Sequence, residues 1–259
     1  MIVKSVLMKN LQVIIALLLS YSLTAFSAEI KICTDQNFWY PFTFISNGKS
    51  DGLHVSVAKH AIIDNGHMAT FIPMEWEKCL NAAKNGVVDA IISASYKDKR
   101  AEFLYYPSDA KTAKKSAFRI TQVEYVVVSM VDEPYEYNGD VKALPFPIRA
   151  PKNYSIVDDL KKEGVKVKTG KSDIDNLKNL LKSRKGIVIT LPEIAKRLSK
   201  GKTFKNKLRV HKKPIKSKSY YMAISKKSSL SDTDRTELWS KIATIREDET
   251  LMSMFLDKL

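Results

Sequence analysis

The chain has 259 residues, 44% of them hydrophobic, and a formal net charge of +15 at neutral pH. This composition, with no low-complexity tract, excludes a disordered or fibrous chain, and the length suits one large domain or two modest ones. The positive balance raises nucleic acid as a partner. Yet Lys111, Lys114, Lys115, Lys161, Lys162, Lys196, Lys200, Lys212 and Lys213 are scattered, acids lie among the lysines of the predicted helices, and no nucleic-acid motif accompanies them. We read them as a solvated basic surface that attracts anionic solutes, with no nucleic-acid partner.

Residues 1–28 read as a cleaved signal peptide. Lys4 and Lys9 give a positive start, Leu11 to Leu19 is apolar apart from Gln12, and Ala25-Phe26-Ser27 or Ala28 offers small residues for cleavage. The apolar run is shorter than the roughly 20 residues of a spanning helix, and no Cys follows it directly, so no membrane or lipid anchor is expected. Removing Lys4 and Lys9 takes the charge from +15 to +13. The product is expected in the periplasm, as a monomer. Cys33 and Cys79 form an even pair in an exported chain; the alternatives are a disulfide and two buried free thiols, and the oxidising compartment favours the bridge.

Taken in order, Glu29 to Cys33 reads as a strand and Val55 to Asn65 as a helix, with Val55, Ala58 and Ile62 at helical spacing and Gly66 as its stop. Ala69 to Ile72 is strand-like, Trp76 to Lys84 is amphipathic and ends at Asn85-Gly86, and Val87 to Ile92 is an apolar β-branched run. After a long β-rich segment, Val123 to Met130, the alternation resumes. Strands are predicted at Phe146 to Ala150, Val165 to Lys168 and Ile187 to Thr190, with helices at Ser155 to Lys162, Ile174 to Lys182 and Glu193 to Leu198. Tyr220 to Ile224 is a further strand, and Thr233 to Ile245 and Thr250 to Leu259 are closing helices. Alternation of this kind implies parallel sheets flanked by helices, with ligands at the carboxyl ends of the strands. The expected architecture is α/β and two-lobed: 29–121 as the first lobe, 122–222 as the second, and 223–259 returning to the first. A cleft between lobes is where a small ligand binds.

An ordered set of segments carries a resemblance. Cys33-Thr34-Asp35 ends the first strand and leads to Trp39-Tyr40-Pro41-Phe42; Asp51-Gly52-Leu53 opens the first helix; Trp76-Glu77-Lys78-Cys79-Leu80 precedes Gly86-Val87-Val88-Asp89-Ala90. Ser93-Ala94-Ser95 then leads to Lys99-Arg100 and Tyr106-Pro107, and Tyr220-Tyr221-Met222-Ala223-Ile224-Ser225-Lys226 comes late. This set resembles the bacterial extracellular solute-binding proteins, family 3, of the type that serves polar amino-acid ABC importers. The resemblance spans the whole expected mature chain. It implies the type II periplasmic-binding-protein fold, a small polar, carboxylate-bearing solute in the cleft, no cofactor or metal, and an ABC permease as partner.

Arg100 stands where the family's carboxylate-binding arginine lies, five residues after Ser95, and a guanidinium holds a carboxylate by two parallel hydrogen bonds. Its bland reading is a surface Arg beside Asp98 and Glu102. The resemblance also places Ser93 and Ser95, Trp39 as a stacking aromatic, and Asn153-Tyr154-Ser155 at the ligand. Trp76 reads as a second wall or as packing, and Asp35 as the partner of a ligand amine or a loop cap. Ser155 reads as a helix N-cap, at a terminus suited to an anionic group. Where family members place an acid for the ligand's α-ammonium, this chain has Pro192, with Glu193 next, and Ser56 stands where Asp is common. Either Glu193 substitutes from a shifted position or the ligand lacks that ammonium.

Enzyme motifs are missing. His54, His60, His67 and His211 lack metal-ligand spacing, and no Gly-x-Ser-x-Gly, Walker or Gly-x-Gly-x-x-Gly sequence occurs. The expected role is a binder, not an enzyme. Two alternatives stand beside it: an orphan or sensory protein presenting its solute to a membrane receptor, and a cyclohexadienyl-dehydratase-like enzyme with Glu193 as acid–base group.

Overall fold

The computed structural model describes residues 29–259; the signal-peptide reading lies outside the described residues. Strand β1 (Glu29–Asp35) points Ile30 and Ile32 into the core and pairs in parallel with β4 (Met68–Met74) and β5 (Ala90–Ser95). Between β1 and β4 come a small hairpin, β2 (Phe44–Ser46) with β3 (Lys49–Asp51), and helix α1 (Leu53–Asp64). The turn into α1 requires Gly52: its φ is 117°, and a Cβ there would stand 2.5 Å from the Phe42 carbonyl oxygen.

Helix α2 (Trp76–Asn85) buries Trp76, Cys79, Ala82 and Ala83, spaced to share one face against the sheet. It ends on Gly86 in the left-handed conformation. The chain then turns through Val87, which is 63% exposed, so the strand expected from Val87 begins only at Ala90. The apolar β-branched residue there belongs to the turn that leaves the helix. A single-turn helix α3 (Asp98–Ala101) and the two-residue strand β6 (Leu104–Tyr105) complete this half.

The second half repeats the scheme with β8 (Ile148–Pro151), α4 (Ser155–Lys162), β9 (Val167–Gly170), α5 (Asp173–Ser183), β10 (Ile187–Thr190) and α6 (Pro192–Ser199). Strand β9 lies two residues later than Val165 to Lys168, because Gly164 and Val165 close the α4 turn through hydrogen bonds to Lys161 and Leu160.

Two long strands join the halves, β7 (Thr121–Met130) and β11 (Leu208–Ser225). They pair antiparallel from Leu208–Met130 to Tyr220–Thr121, and β11 then continues alongside β5. The strand order is β4-β1-β5-β11-β7-β10-β8-β9. Three parallel strands therefore stand on either side of an antiparallel pair, which makes a two-lobed periplasmic-binding-protein fold with its crossing at β7 and β11. Helices α7 (Asp232–Glu247) and α8 (Glu249–Asp257) return to the first lobe, where α7 packs on α1. A disulfide joins Cys33 of β1 to Cys79 of α2 with the Cα atoms 5.5 Å apart. Among the described residues no helix is long and apolar enough to cross a membrane.

Candidate functional site

The carboxyl ends of β1, β5, β8 and β10 meet at the crossing, as parallel α/β units dictate. From the first lobe come Ser95, last residue of β5, Arg100 on α3, and Trp76, first residue of α2. From the second come Asn153, Tyr154 and Ser155, where β8 turns into α4. Tyr125 of β7 and Tyr220 of β11 form the back wall, their hydroxyls 2.6 Å apart.

These groups touch across the lobes. The Ser95 hydroxyl donates to Ser155 Oγ at 2.8 Å, and Tyr154 donates to Asp35 Oδ2 at 2.8 Å. Arg100 donates through Nη1 to the Ser95 carbonyl at 3.0 Å and through Nη2 to the Asn153 carbonyl at 3.1 Å. Its guanidinium also lies over the Trp76 ring, 5.1 Å from the centroid. What remains between Trp39, Trp76, Ser95, Arg100, Tyr125, Tyr154, Ser155 and Tyr220 is a cavity of about 20 Å³. That is room for about one water molecule, so the cleft is shut.

Arg100 is only 5% exposed, yet among the described residues no carboxylate stands within ion-pair distance of it. Backbone carbonyls satisfy its N–H groups but do not neutralise its charge. The neighbours add positive potential: Lys97, half-buried and paired with Asp158, is pushed down to about 8 by burial and by the charge of Arg100. Trp39 and Trp76 each bury an indole N–H that has no partner among the described residues. Two of the aromatic residues lining the cavity thus carry an unused N–H donor, and its cation is uncompensated, a lining suited to an acceptor-rich anion.

The other predicted residues have separate occupations. Ser93, with φ of 62°, gives its hydroxyl to a hydrogen bond with His54 Nδ1 at 2.8 Å, behind the cleft wall. Asp35 accepts from the Asn37 amide at 3.0 Å as well as from Tyr154; burial raises its pKa and these hydrogen bonds hold it back. Glu193 follows Pro192 in the first turn of α6 and does not line the cavity; burial raises its pKa, and its Oε2 has no partner among the described residues. The N-cap expectation for Ser155 is corrected. Tyr154 occupies the cap position without a side-chain cap, and Ser155 is the first helical residue, its hydroxyl accepting from Ser95 across the cleft instead of capping the helix.

One buried acid was not foreseen. Asp173, first residue of α5, is 3% exposed, and its pKa rises to about 7 through burial, moderated by the Thr190 hydroxyl and reinforced by the charge of Asp35. In sequence, Ser172-Asp173 carries only the signal of an ordinary capped helix start, and nothing local tells that Asp173 is buried. Among the described residues no group of three or more His, Cys, Asp or Glu is placed to hold a metal ion.

A parallel α/β pair of lobes closing on a polar cleft defines a solute-binding protein fold. The family model for bacterial extracellular solute-binding proteins, family 3, matches residues 30–251, and the chain belongs to that family. No curated protein sequence matches it. Among solved structures, a histidine kinase sensor domain with similarity to periplasmic binding proteins aligns at a TM-score of 0.73 and 17% identity, over 90% of this chain and 96% of that one. The arginine-, lysine-, histidine-binding protein ArtJ from Geobacillus stearothermophilus aligns at 0.69 and 17% identity, over 89% and 94%. An ancestral amino acid-binding protein, a precursor of cyclohexadienyl dehydratase, aligns at 0.67 and 14% identity, over 89% and 95%. At such identities the likeness is one of fold.

Proposed function

We propose that this protein captures a small polar solute bearing a carboxylate, an amino acid or related acid, between its lobes and delivers it to an ABC importer from the periplasm. The lobes divide near 121/122 and 222/223, and the mature protein acts as a monomer. The observation that carries this reading is Arg100, a buried cation with no carboxylate partner among the described residues. A buried unpaired charge is costly, and a ligand carboxylate removes that cost. Ser95, Ser155 and the Asn153–Tyr154 segment would trade their contacts with each other for contacts with the solute. Trp39 and Trp76 would wall it. Ser93 and Glu193, predicted as ligand contacts, have another partner or position in the shut form, whereas Asp35, bonded to Tyr154 across the cleft, would be released together with it.

Two further observations bear on the alternatives. The enzyme reading needs a free acid–base group at the cavity, whereas Glu193 does not line it and Asp35 accepts from Tyr154 and Asn37. The sensor-domain neighbour supports a second reading, in which a membrane receptor, not a permease, reads the closed form.

A thermal-shift screen of amino acids and organic acids against wild type and Arg100→Ala tests the main reading. The expected hit raises the wild-type Tm clearly more than that of the variant, since a ligand at a hundredfold excess over Kd adds about 2.7 kcal/mol and at a tenfold excess about 1.4 kcal/mol. A hit that shifts both proteins equally would remove Arg100 from the site.

A further inference from the structure

Beside the shut cavity, and sharing Arg100 with it, lies an open groove of about 460 Å³ between α2 and α3 of the first lobe and α4 of the second. Six cationic side chains and two carboxylates line it. Both carboxylates are already engaged in ion pairs that cross the groove: Glu77 of the first lobe with Lys152 of the second at 3.1 Å, and Lys97 of the first with Asp158 of the second. That leaves Lys84, Lys99, Lys161 and Arg100 without an ion-pair partner among the described residues.

Placement matters as much as number. Lys84 and Lys99 belong to the first lobe and Lys161 to the second, so closing the cleft brings like charges together. Repulsion of that kind works against the two ion pairs that span the groove, and an anion lying between the lysines would relieve it. The groove volume is that of an ordinary small-molecule site, and its floor is the same guanidinium proposed to hold the carboxylate.

We propose that the groove is a second anion subsite, and that the solute class is a small acid with at least two anionic groups: one on Arg100 in the cleft, the other, a phosphate or distal carboxylate, among Lys84, Lys99 and Lys161. This rests on the reading of the cleft given above, and it narrows that reading from polar carboxylates to multiply charged ones. It gives the positive surface charge a function as well, since a groove of one sign concentrates anions and speeds their capture.

Calorimetry with matched probes tests it: glycolate against 2-phosphoglycolate, and L-serine against O-phospho-L-serine, each titrated into wild type, Arg100→Ala and the triple variant Lys84→Gln/Lys99→Gln/Lys161→Gln. All three lysines are exposed, so the triple variant keeps the core intact. For at least one pair the phosphorylated member should bind wild type at least tenfold tighter. The triple variant should lose that preference and leave the unphosphorylated member within twofold, while Arg100→Ala weakens both members. If wild type does not distinguish the members of either pair, or if the triple variant keeps the preference, the subsite is refuted, although Arg100-dependent binding would leave the carboxylate reading standing. If the lysines matter and Arg100 does not, the subsite survives and the cleft reading falls. Absence of binding by all four probes overturns the proposal.

Discussion

Arg100, on the single-turn helix α3 of the first lobe, donates through Nη2 to the carbonyl of Asn153 in the second lobe at 3.1 Å. The bond ties a charged side chain to a backbone acceptor across a shut cleft. A ligand carboxylate arriving there would replace a neutral acceptor with a charged one, neutralising the guanidinium and matching its planar fork with two parallel hydrogen bonds.

Truncating Arg100 should therefore affect binding far more than folding. Removing one member of a buried charge pair typically costs about 2 to 5 kcal/mol, so Arg100→Ala should weaken solute binding at least tenfold. Arg100→Lys should recover only part of the loss, because lysine keeps the charge without the planar fork. Calorimetry supplies the affinities, and circular dichroism should find both variants folded. Equal affinity in wild type and Arg100→Ala would exclude the clamp.

Asp173 gives a pH signature. With its pKa raised to about 7 from the usual 3.8, the folded state holds a proton that the unfolded state has already released across that interval. Stability from this group is full below about pH 4 and is lost as pH rises through about 7. Asp173→Asn should match wild type near pH 4 and exceed its Tm at pH 8 in buffered differential scanning fluorimetry. A variant less stable than wild type at pH 8 would mean that the ionised carboxylate is an asset.

His54 has the opposite sign. It is fully buried, bonds Ser93 Oγ at 2.8 Å and Thr121 Oγ1 at 2.6 Å, and burial lowers its pKa to about 3. Its contribution is present above the unfolded value near 6.5 and is lost as pH falls toward 3. Because Thr121 opens β7, the neutral ring pins a crossing strand to the first lobe. The His54 ring signals in NMR should stay fixed between pH 5 and pH 8; a titration midpoint inside that range would contradict the burial argument.

The strands and helices buried on a face were legible in the sequence because their apolar spacing records that burial: β1, α1, α2, β10 and α7 all fall close to expectation. The crossing strand β11 was legible only at its end, Tyr220 to Ile224. Its middle, Lys212 to Ser219, is rich in lysine and serine, and it is held as a strand by pairing with β7, not by its own pattern. The set meeting at the cavity was legible for Trp39, Ser95, Arg100, Tyr154 and Ser155, which follow ordered segments. It was not legible for Tyr125 and Tyr220, which the apolar pattern marks only as strand residues; nor does any local pattern encode the burial of Asp173, away from the cavity lining, or the hydrogen bond of Ser93 to His54.

The Cys33–Cys79 bridge closes a sequence separation of 46 residues within the first lobe. The chain-entropy relation gives about 4 kcal/mol for a loop of that length, the upper end of what removal of a bridge costs. Cys33→Ser/Cys79→Ser should shift the urea midpoint downward with a steeper slope, because the unfolded lobe without the bridge is more expanded. An unshifted midpoint would mean that the unfolded lobe is restricted without the bridge.

Closure itself is open to a direct test at Ser95 and Ser155, whose hydroxyl oxygens are 2.8 Å apart across the cleft. Side chains this near suit a disulfide, which requires Cβ atoms about 3.5 to 4.5 Å apart. The double variant Ser95→Cys/Ser155→Cys should oxidise to a form locked shut around a cavity of about 20 Å³, too small for an amino acid. Only β7 and β11 need to bend for the lobes to part, and only the closed form lets both lobes contact one solute. Reduced protein should thus populate an open form that solute draws closed. Small-angle scattering should give the oxidised variant the smaller radius of gyration, matching that of wild type saturated with solute. Calorimetry should find no binding to the oxidised variant and partial recovery after reduction, the remaining deficit measuring what the two hydroxyls themselves contribute. If the oxidised protein binds solute as well as the reduced one, the solute enters without the lobes parting, and the site lies outside the cavity between Arg100 and Ser155.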